Sequence, residues 1–214
     1  MVTNAYLKDW QKKRMKNRFE VFMINNGFAG GRNQTREILV KSAALAYGVP
    51  KAILNEENIL TGEKGKPYFE KLDTHFSISH SDDLWACLMG PFRCGLDVQY
   101  IKPCNFEKIA GRFFSAEEAE YVKKHGINGF FTLWTRREAY CKYTGEGFFS
   151  DVPALVDRCG NLRQTVTTWE NIEVEFVEIH LADGVKCTAC IEQDRDKTIE
   201  IRKDWNYEDY ISIR

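Results

Sequence analysis

Nine residues near the middle of the chain, Phe92-Arg-Cys-Gly-Leu-Asp-Val-Gln-Tyr100, constrain the fold most. A strand sends successive side chains to opposite faces. Leu96 and Val98 then fall on one side, Asp97 and Gln99 on the other. An apolar underside with a carboxylate and an amide two residues apart suits the rim of a hard-cation site. An ordinary half-buried strand with one wet face has the same pattern. A second carboxylate brought to the first is what separates the two readings.

That second acid is Glu138. A helix is expected from about Gly129 to Tyr143, with Gly145 as its C′ residue. On its wheel Phe130, Phe131, Trp134 and Cys141 share a face, Glu138 falls among them, and Lys142 lies one turn beyond. An exposed Glu–Lys pair four apart contributes only about 0.3–0.5 kcal/mol. Here the neighbours are aromatic, and a carboxylate buried bare is costly. It needs a compensating cation or hydrogen bonds, and a Mg²⁺ shared with Asp97 would serve.

A chain of 214 residues suits one large domain or two intimately packed halves. With 43% hydrophobic and 29% charged residues it can bury a substantial core. A net charge of -1 argues against nucleic-acid binding by global attraction. The start, Met1-Val-Thr-Asn4, has no signal-peptide pattern, and no apolar run reaches the ~18 residues of a membrane span. A cytoplasmic protein without a membrane partner is expected. The seven cysteines are scattered. Cys187 and Cys190 have CxxC spacing, but a strand there turns them to opposite faces, so reduced, packed thiols are expected.

Along the chain, residues 5 to 23 read as a helix with a basic face of Lys8, Lys12, Lys13, Arg14, Lys16 and Arg18, and with no obvious opening strand. A second helix is expected from about Thr35 to Tyr47, striped by Ile38, Leu39, Leu45 and Ala46 and stopped by Gly48 and Pro50. Gly62-Glu-Lys-Gly-Lys66-Pro67 reads as a turn. Strands follow at 76–81, 84–89 and 96–101, and Lys102-Pro103 closes the first half. Ser115-Ala-Glu-Glu118 is a capping box for a helix through about Lys124, closed by Gly126. Residues 172–179, 185–191 and 198–202 read as strands, with Asp183-Gly184 as a hairpin turn.

Four segments then fall into register: Gly65-Lys66-Pro67, Phe76-Ser-Ile-Ser-His-Ser81, Gly95-Leu-Asp-Val98, and Trp134-Thr-Arg-Arg-Glu-Ala139 with Lys142. In order and spacing they resemble the surfactin-type 4'-phosphopantetheinyl transferases. The resemblance implies an α+β fold, a pseudo-twofold pair of similar α/β subdomains. Their expected spans are 1–102 and 103–214, forming one compact unit with the active site at their interface. It further implies transfer of the 4'-phosphopantetheine arm of coenzyme A to a serine of an apo acyl or peptidyl carrier protein, with Mg²⁺, releasing adenosine 3',5'-bisphosphate. Such carriers serve fatty acid, polyketide or non-ribosomal peptide synthesis, and members of this length act as monomers.

By the same resemblance Asp97 and Glu138 hold the metal, with Gln99 as a third metal-site residue. Glu138 is also the general base, and Lys142 neutralises the transferring phosphate. His80 matches a pyrophosphate contact, Lys66 and Ser79 match contacts to the 3'-phosphate, and Arg32 resembles a basic residue near the nucleotide. Many members carry Glu where this chain has Gln99, and the amide lowers the site's negative charge, so weaker metal binding is expected. Arg137 stands where a Lys often precedes the catalytic Glu. Two other readings stay open: a Mg²⁺-dependent nucleotide phosphodiesterase, and a non-catalytic relative that binds coenzyme A or a carrier.

Overall fold

A computed structural model describes residues 17–25, 27–49, 54–62, 65–147, 151–193 and 197–202. These are mixed α+β, as expected. The chain divides into two compact units: one takes the sequence up to Arg93 together with the strand Thr198–Arg202, the other runs Cys94–Gln193. The expected boundary was residue 102. The contacts place it at Arg93–Cys94 and return the last described strand to the first unit.

In the first unit a four-stranded sheet has the order β10-β1-β5-β4, where β1 is Arg18–Ile24, β4 His75–Ser81, β5 Leu84–Gly90 and β10 Thr198–Arg202. Neighbours are antiparallel except β10, which joins β1 in parallel. Every residue of β5 is buried, as a central strand covered on both faces must be. Helix α1, Arg32–Tyr47, lays Ile38, Leu39, Ala43 and Tyr47 against Phe22, Trp85, Cys87 and Met89 of the sheet. It begins three residues before the expected start. Gly48 ends it in the left-handed region at φ 60°, donating its N–H to the Ala44 carbonyl. A 3-10 turn at Glu56–Asn58 leads into the hairpin of β2, Ile59–Thr61, and β3, Pro67–Phe69. Between the two strands Gly62 N–H donates to the Lys66 carbonyl at 2.9 Å, and Gly65 has φ 79°.

The expected helix over 5–23 is corrected where it can be checked. Residues 18–24 form a strand, so an opening strand does exist; residues 1–16 lie outside the described residues. Two features hid it. Both faces of β1 are buried, so polar and apolar residues do not alternate. Moreover its one acid, Glu20, is itself fully buried. Arg18 meets Glu20 at 2.6 Å, and Arg202 of β10 binds both of its oxygens, at 2.6 and 3.1 Å. A buried carboxylate is tolerated only with such partners.

The second unit is a four-stranded antiparallel sheet, β6-β9-β8-β7. Its strands are β6, Cys94–Tyr100; β7, Thr165–Thr167; β8, Glu173–Glu178; and β9, Val185–Glu192. Gly184, at φ 70°, supports the expected turn between β8 and β9. Two helices pack here. Helix α2, Phe106–Phe113, is capped by the Asn105 side chain and sets Phe106 and Ile109 beside Phe130. Its Phe106, Ile109, Ala110 and Phe113 stand at i, i+3, i+4 and i+7, a helical stripe that sequence reasoning passed over.

Helix α3, Ala116–Thr144, begins with the expected capping box of Ser115 and Glu118 and ends at Gly145 in the left-handed region. Gly126, at φ 61° and ψ -149°, breaks it into two limbs. The second limb carries Phe130, Leu133, Ala139, Tyr140 and Tyr143 into a core with Leu155, Val174, Phe176 and Cys190. Cys187 and Cys190 are buried on β9, and none of the seven cysteines forms a disulfide. Among the described residues, no helix is long and apolar enough to cross a membrane.

Removing Glu20 leaves two arginines facing each other across the β1–β10 seam. Both guanidinium groups are partly exposed, so Glu20→Ala is expected to destabilise the protein by about 3 kcal/mol, the low end for breaking a buried pair. Urea unfolding followed by circular dichroism measures it.

Candidate active site

The central geometry lies within the second unit, where α3 rides on β6. Asp97 and Gln99 project from the face of β6 that also carries Gly95. A Cβ placed on Gly95 would come within 1.9 Å of the Ala139 carbonyl oxygen and 2.6 Å of the Tyr143 backbone nitrogen. No side chain fits there. Glycine at this position therefore lets the helix backbone descend onto the strand and bring its facing residues to Asp97.

Asp97 is 2% exposed. Its Oδ1 accepts a hydrogen bond from Lys142 Nζ at 2.8 Å, and its Oδ2 accepts one from Gln99 Nε2 at 3.3 Å. Glu138, one turn before Lys142 on the same helix, is half-buried. Burial pushes its carboxyl above the usual range, the Asp97 charge pushes it further, and the Lys142 ammonium pulls it back. The two acids thus lie within each other's field, with one lysine between them in charge. The thiol of Cys187 on the adjoining strand is pushed up as well, first by its own burial and then by Asp97.

The two arginines before Glu138 anchor the helix. Arg136, 1% exposed, donates to the Arg163 carbonyl at 2.7 Å and to Glu178 at 3.0 Å, and lies over the Phe176 ring. Arg137 reaches within 3.8 Å of Glu118, the buried acid of the capping box. Glu118 also accepts the Leu155 N–H at 2.9 Å. Sequence reading placed Glu118 in the capping box and noted Arg137 beside Glu138, but missed their pairing and the role of Arg136, because buried ion pairs look the same as surface charges in one dimension.

Mg²⁺ favours hard oxygen ligands in near-octahedral array and takes one or two carboxylates, with phosphate oxygens and waters completing the shell. Asp97, Glu138 and the amide oxygen of Gln99 are a hard-donor set of that kind, buried at Asp97 and half-buried at Glu138 and Gln99. Among the described residues there is no cluster of three or more His, Cys, Asp or Glu that could hold a metal. The residues present fit an ion that takes only part of its shell from protein.

The remaining candidates belong to the first unit. A cavity of about 350 Å³ is lined by Arg32, Thr35, Arg36, Ile59, Gly65 and Ile78, among others. Arg32 opens α1, and Gly65 and Pro67 on either side of Lys66 also line the space. His80 is exposed on the Ile78 side of β4 and sits 5.4 Å, ring to ring, from Phe28. Ser79 is buried and points to the opposite face of that strand. The structure therefore gathers Arg32, the Lys66 turn and the His80 face on one side, and turns the Ser79 side chain away. Arg36 was missed by sequence reasoning. It lies four residues after Arg32, on the same helix face, and donates to the carbonyls of Glu56 and Ile59, the latter at 2.9 Å.

Residues 93–190 match the 4'-phosphopantetheinyl transferase superfamily. The chain is 32% identical over 168 residues to the 4'-phosphopantetheinyl transferase gsp of Aneurinibacillus migulanus, covering 74% of this chain and 68% of that protein. It is 33% identical over 143 residues to 4'-phosphopantetheinyl transferase HetI of Nostoc sp., covering 61% and 56%. Against 4'-phosphopantetheinyl transferase Sfp of Bacillus subtilis it is 37% identical over 92 residues, 41% of each chain. The latter two matches span little more than half, or less, of those relatives' lengths. With its fold and with this span of identity, the chain belongs to the 4'-phosphopantetheinyl transferase superfamily, a family of enzymes.

Gly95→Ala tests the seating of the helix. The contact is with backbone, so α3 must rise, and overpacking of this kind costs about 1–3 kcal/mol. A lower urea midpoint with unchanged slope is the expected result.

Proposed function

We propose that the protein transfers the 4'-phosphopantetheine arm of coenzyme A to a serine of an apo acyl or peptidyl carrier protein, with Mg²⁺ and with release of adenosine 3',5'-bisphosphate. One observation carries this reading: Asp97 and Glu138, on facing strand and helix, share a field with Lys142 in a member of this superfamily. The setting proposed is the cytoplasm, with the enzyme acting as a monomer.

The roles follow from chemistry. The carrier serine oxygen attacks the phosphorus bearing the pantetheine arm, and the phosphorus–oxygen bond to adenosine 3',5'-bisphosphate breaks. Glu138 takes the serine proton, directly or through water; general-base help of this kind is worth about 10²–10⁴-fold. Lys142 offsets charge that builds on the transferring phosphate and its leaving group. Asp97 and Glu138, with Gln99 beside them, would hold Mg²⁺. When bound, that ion would polarise the diphosphate and stabilise the transition state. Lys66, Arg32 and His80 are assigned to the phosphates and nucleotide of coenzyme A; in support, Arg32 and the two residues flanking Lys66 line the cavity, and His80 is on the strand face of Ile78, which also lines it. Ser79 enters by resemblance to the family alone.

Intact mass spectrometry tests the reading. Apo acyl and peptidyl carriers incubated with the protein, coenzyme A and Mg²⁺ should gain the mass of phosphopantetheine. No gain on any carrier in a broad panel overturns it, and adenosine bisphosphate released without a carrier would favour the phosphodiesterase instead. Glu138→Gln should lower transfer by about 10²–10⁴-fold, while calorimetry still detects coenzyme A. Gln99→Glu restores an acid and should lower the Mg²⁺ concentration that gives half-maximal transfer.

A further inference from the structure

Thr188 lies directly opposite Asp97 in the antiparallel pairing of β6 and β9. Residues so paired project from the same face of a sheet. That face is the one α3 covers, since it includes Gly95 beneath Ala139. Thr188 is 1% exposed, and its hydroxyl lies 2.9 Å from the hydroxyl of Thr135, which is fully buried. Thr135 stands three residues before Glu138 on α3, a neighbour on the same helix face.

These four residues form a closed figure. One side is the cross-strand step from Asp97 to Thr188, and another is the helical step from Thr135 to Glu138. The Thr135–Thr188 hydrogen bond closes a third side, so it limits how far the two acids can separate on the fourth. Proton accounting gives the bond a direction. Thr135 has one hydroxyl proton, and its own helix claims it, the Phe131 carbonyl oxygen lying 2.9 Å away and that of Thr132 3.2 Å away. Thr188 is therefore the donor, and Thr135 accepts.

We propose that Thr188 is a positioning residue for the phosphoryl transfer: its hydroxyl, bonded to Thr135, fixes the spacing of Asp97 and Glu138 and so the grip of that pair on a divalent cation. The inference rests on the transferase reading for the reaction, but its geometry concerns the two acids alone. It gives work to the Cys187-Thr-Ala-Cys190 segment, whose thiols are buried.

Thr188→Val keeps the branched shape and the strand preference while deleting the donor. Thr188→Ser keeps the donor. With the full chain and coenzyme A present, Mn²⁺ binding followed by the loss of its free-ion electron paramagnetic resonance signal reads the acid pair without any turnover. Thr188→Val should weaken Mn²⁺ binding about tenfold and lower kcat by about 10–100-fold, within the loss that a misplacement of about 1 Å causes. Its melting temperature should change little, and Thr188→Ser should restore both readouts. Thr135→Val combined with Thr188→Val should be no worse than either alone, because both delete the same bond.

The inference is overturned if Thr188→Val melts early yet binds Mn²⁺ as the natural protein does, if serine fails to rescue, or if the double variant is additive. It falls as well if the natural protein holds no Mn²⁺ beside coenzyme A. Failure of the two readings can be told apart. A protein that modifies carriers but ignores Thr188→Val loses only the positioning role. One whose Mn²⁺ binding depends on Thr188 but which modifies no carrier loses only the transferase assignment.

Discussion

The approach of a helix backbone to a bare strand residue governs the chemistry of this chain. Where Gly95 lies under Ala139 and Tyr143, no Cβ intervenes, and the helix settles closer to the sheet than side-chain packing would allow. The two acids owe their shared field to that closeness. Asp97, almost fully buried, has its oxygens bonded by Lys142 and Gln99, and a helix lifted by a methyl group would carry Lys142 away from it. Backbone contact and charge compensation thus form one device, with Arg136 and Arg137 anchoring the same helix to the sheet and to the limb before Gly126.

Burial also explains why the acids suit a cation taking most of its ligands from elsewhere. Two carboxylates at the edge of an apolar core repel each other, and one lysine offsets only part of their charge. A hard divalent ion bringing phosphate oxygens would relieve the repulsion and complete its own shell. Gln99 spends its nitrogen on Asp97 and adds no charge beside the two acids.

Much of this was legible in one dimension because it followed local rules. The alternation of Leu96, Asp97, Val98 and Gln99, the Ser115 capping box, the stops at Gly48 and Gly145, and the spacing from Glu138 to Lys142 all depend on neighbours within a turn or a strand. What stayed hidden depends on partners far along the chain. Glu20 conceals a strand because its compensating Arg202 stands 182 residues later. Thr188 looked like one more polar residue in a strand, since only the pairing register sets it opposite Asp97. Ser79 and His80 stand side by side in one segment and were both matched to phosphates, yet adjacent strand residues face opposite ways.

The parallel seam between β1 and β10 has a bearing on how the molecule is made. In sequence, Cys94–Gln193 is an insertion into the first unit, whose sheet is finished by a strand that leaves the ribosome a hundred residues after β4 and β5. Until then β1 presents an open edge, and Glu20 lacks the guanidinium that binds both its oxygens. The inserted unit draws all of its strands from one continuous stretch and has no such wait. Synthesis therefore favours an order in which the acid-bearing unit matures first and the edge of the other is sealed last.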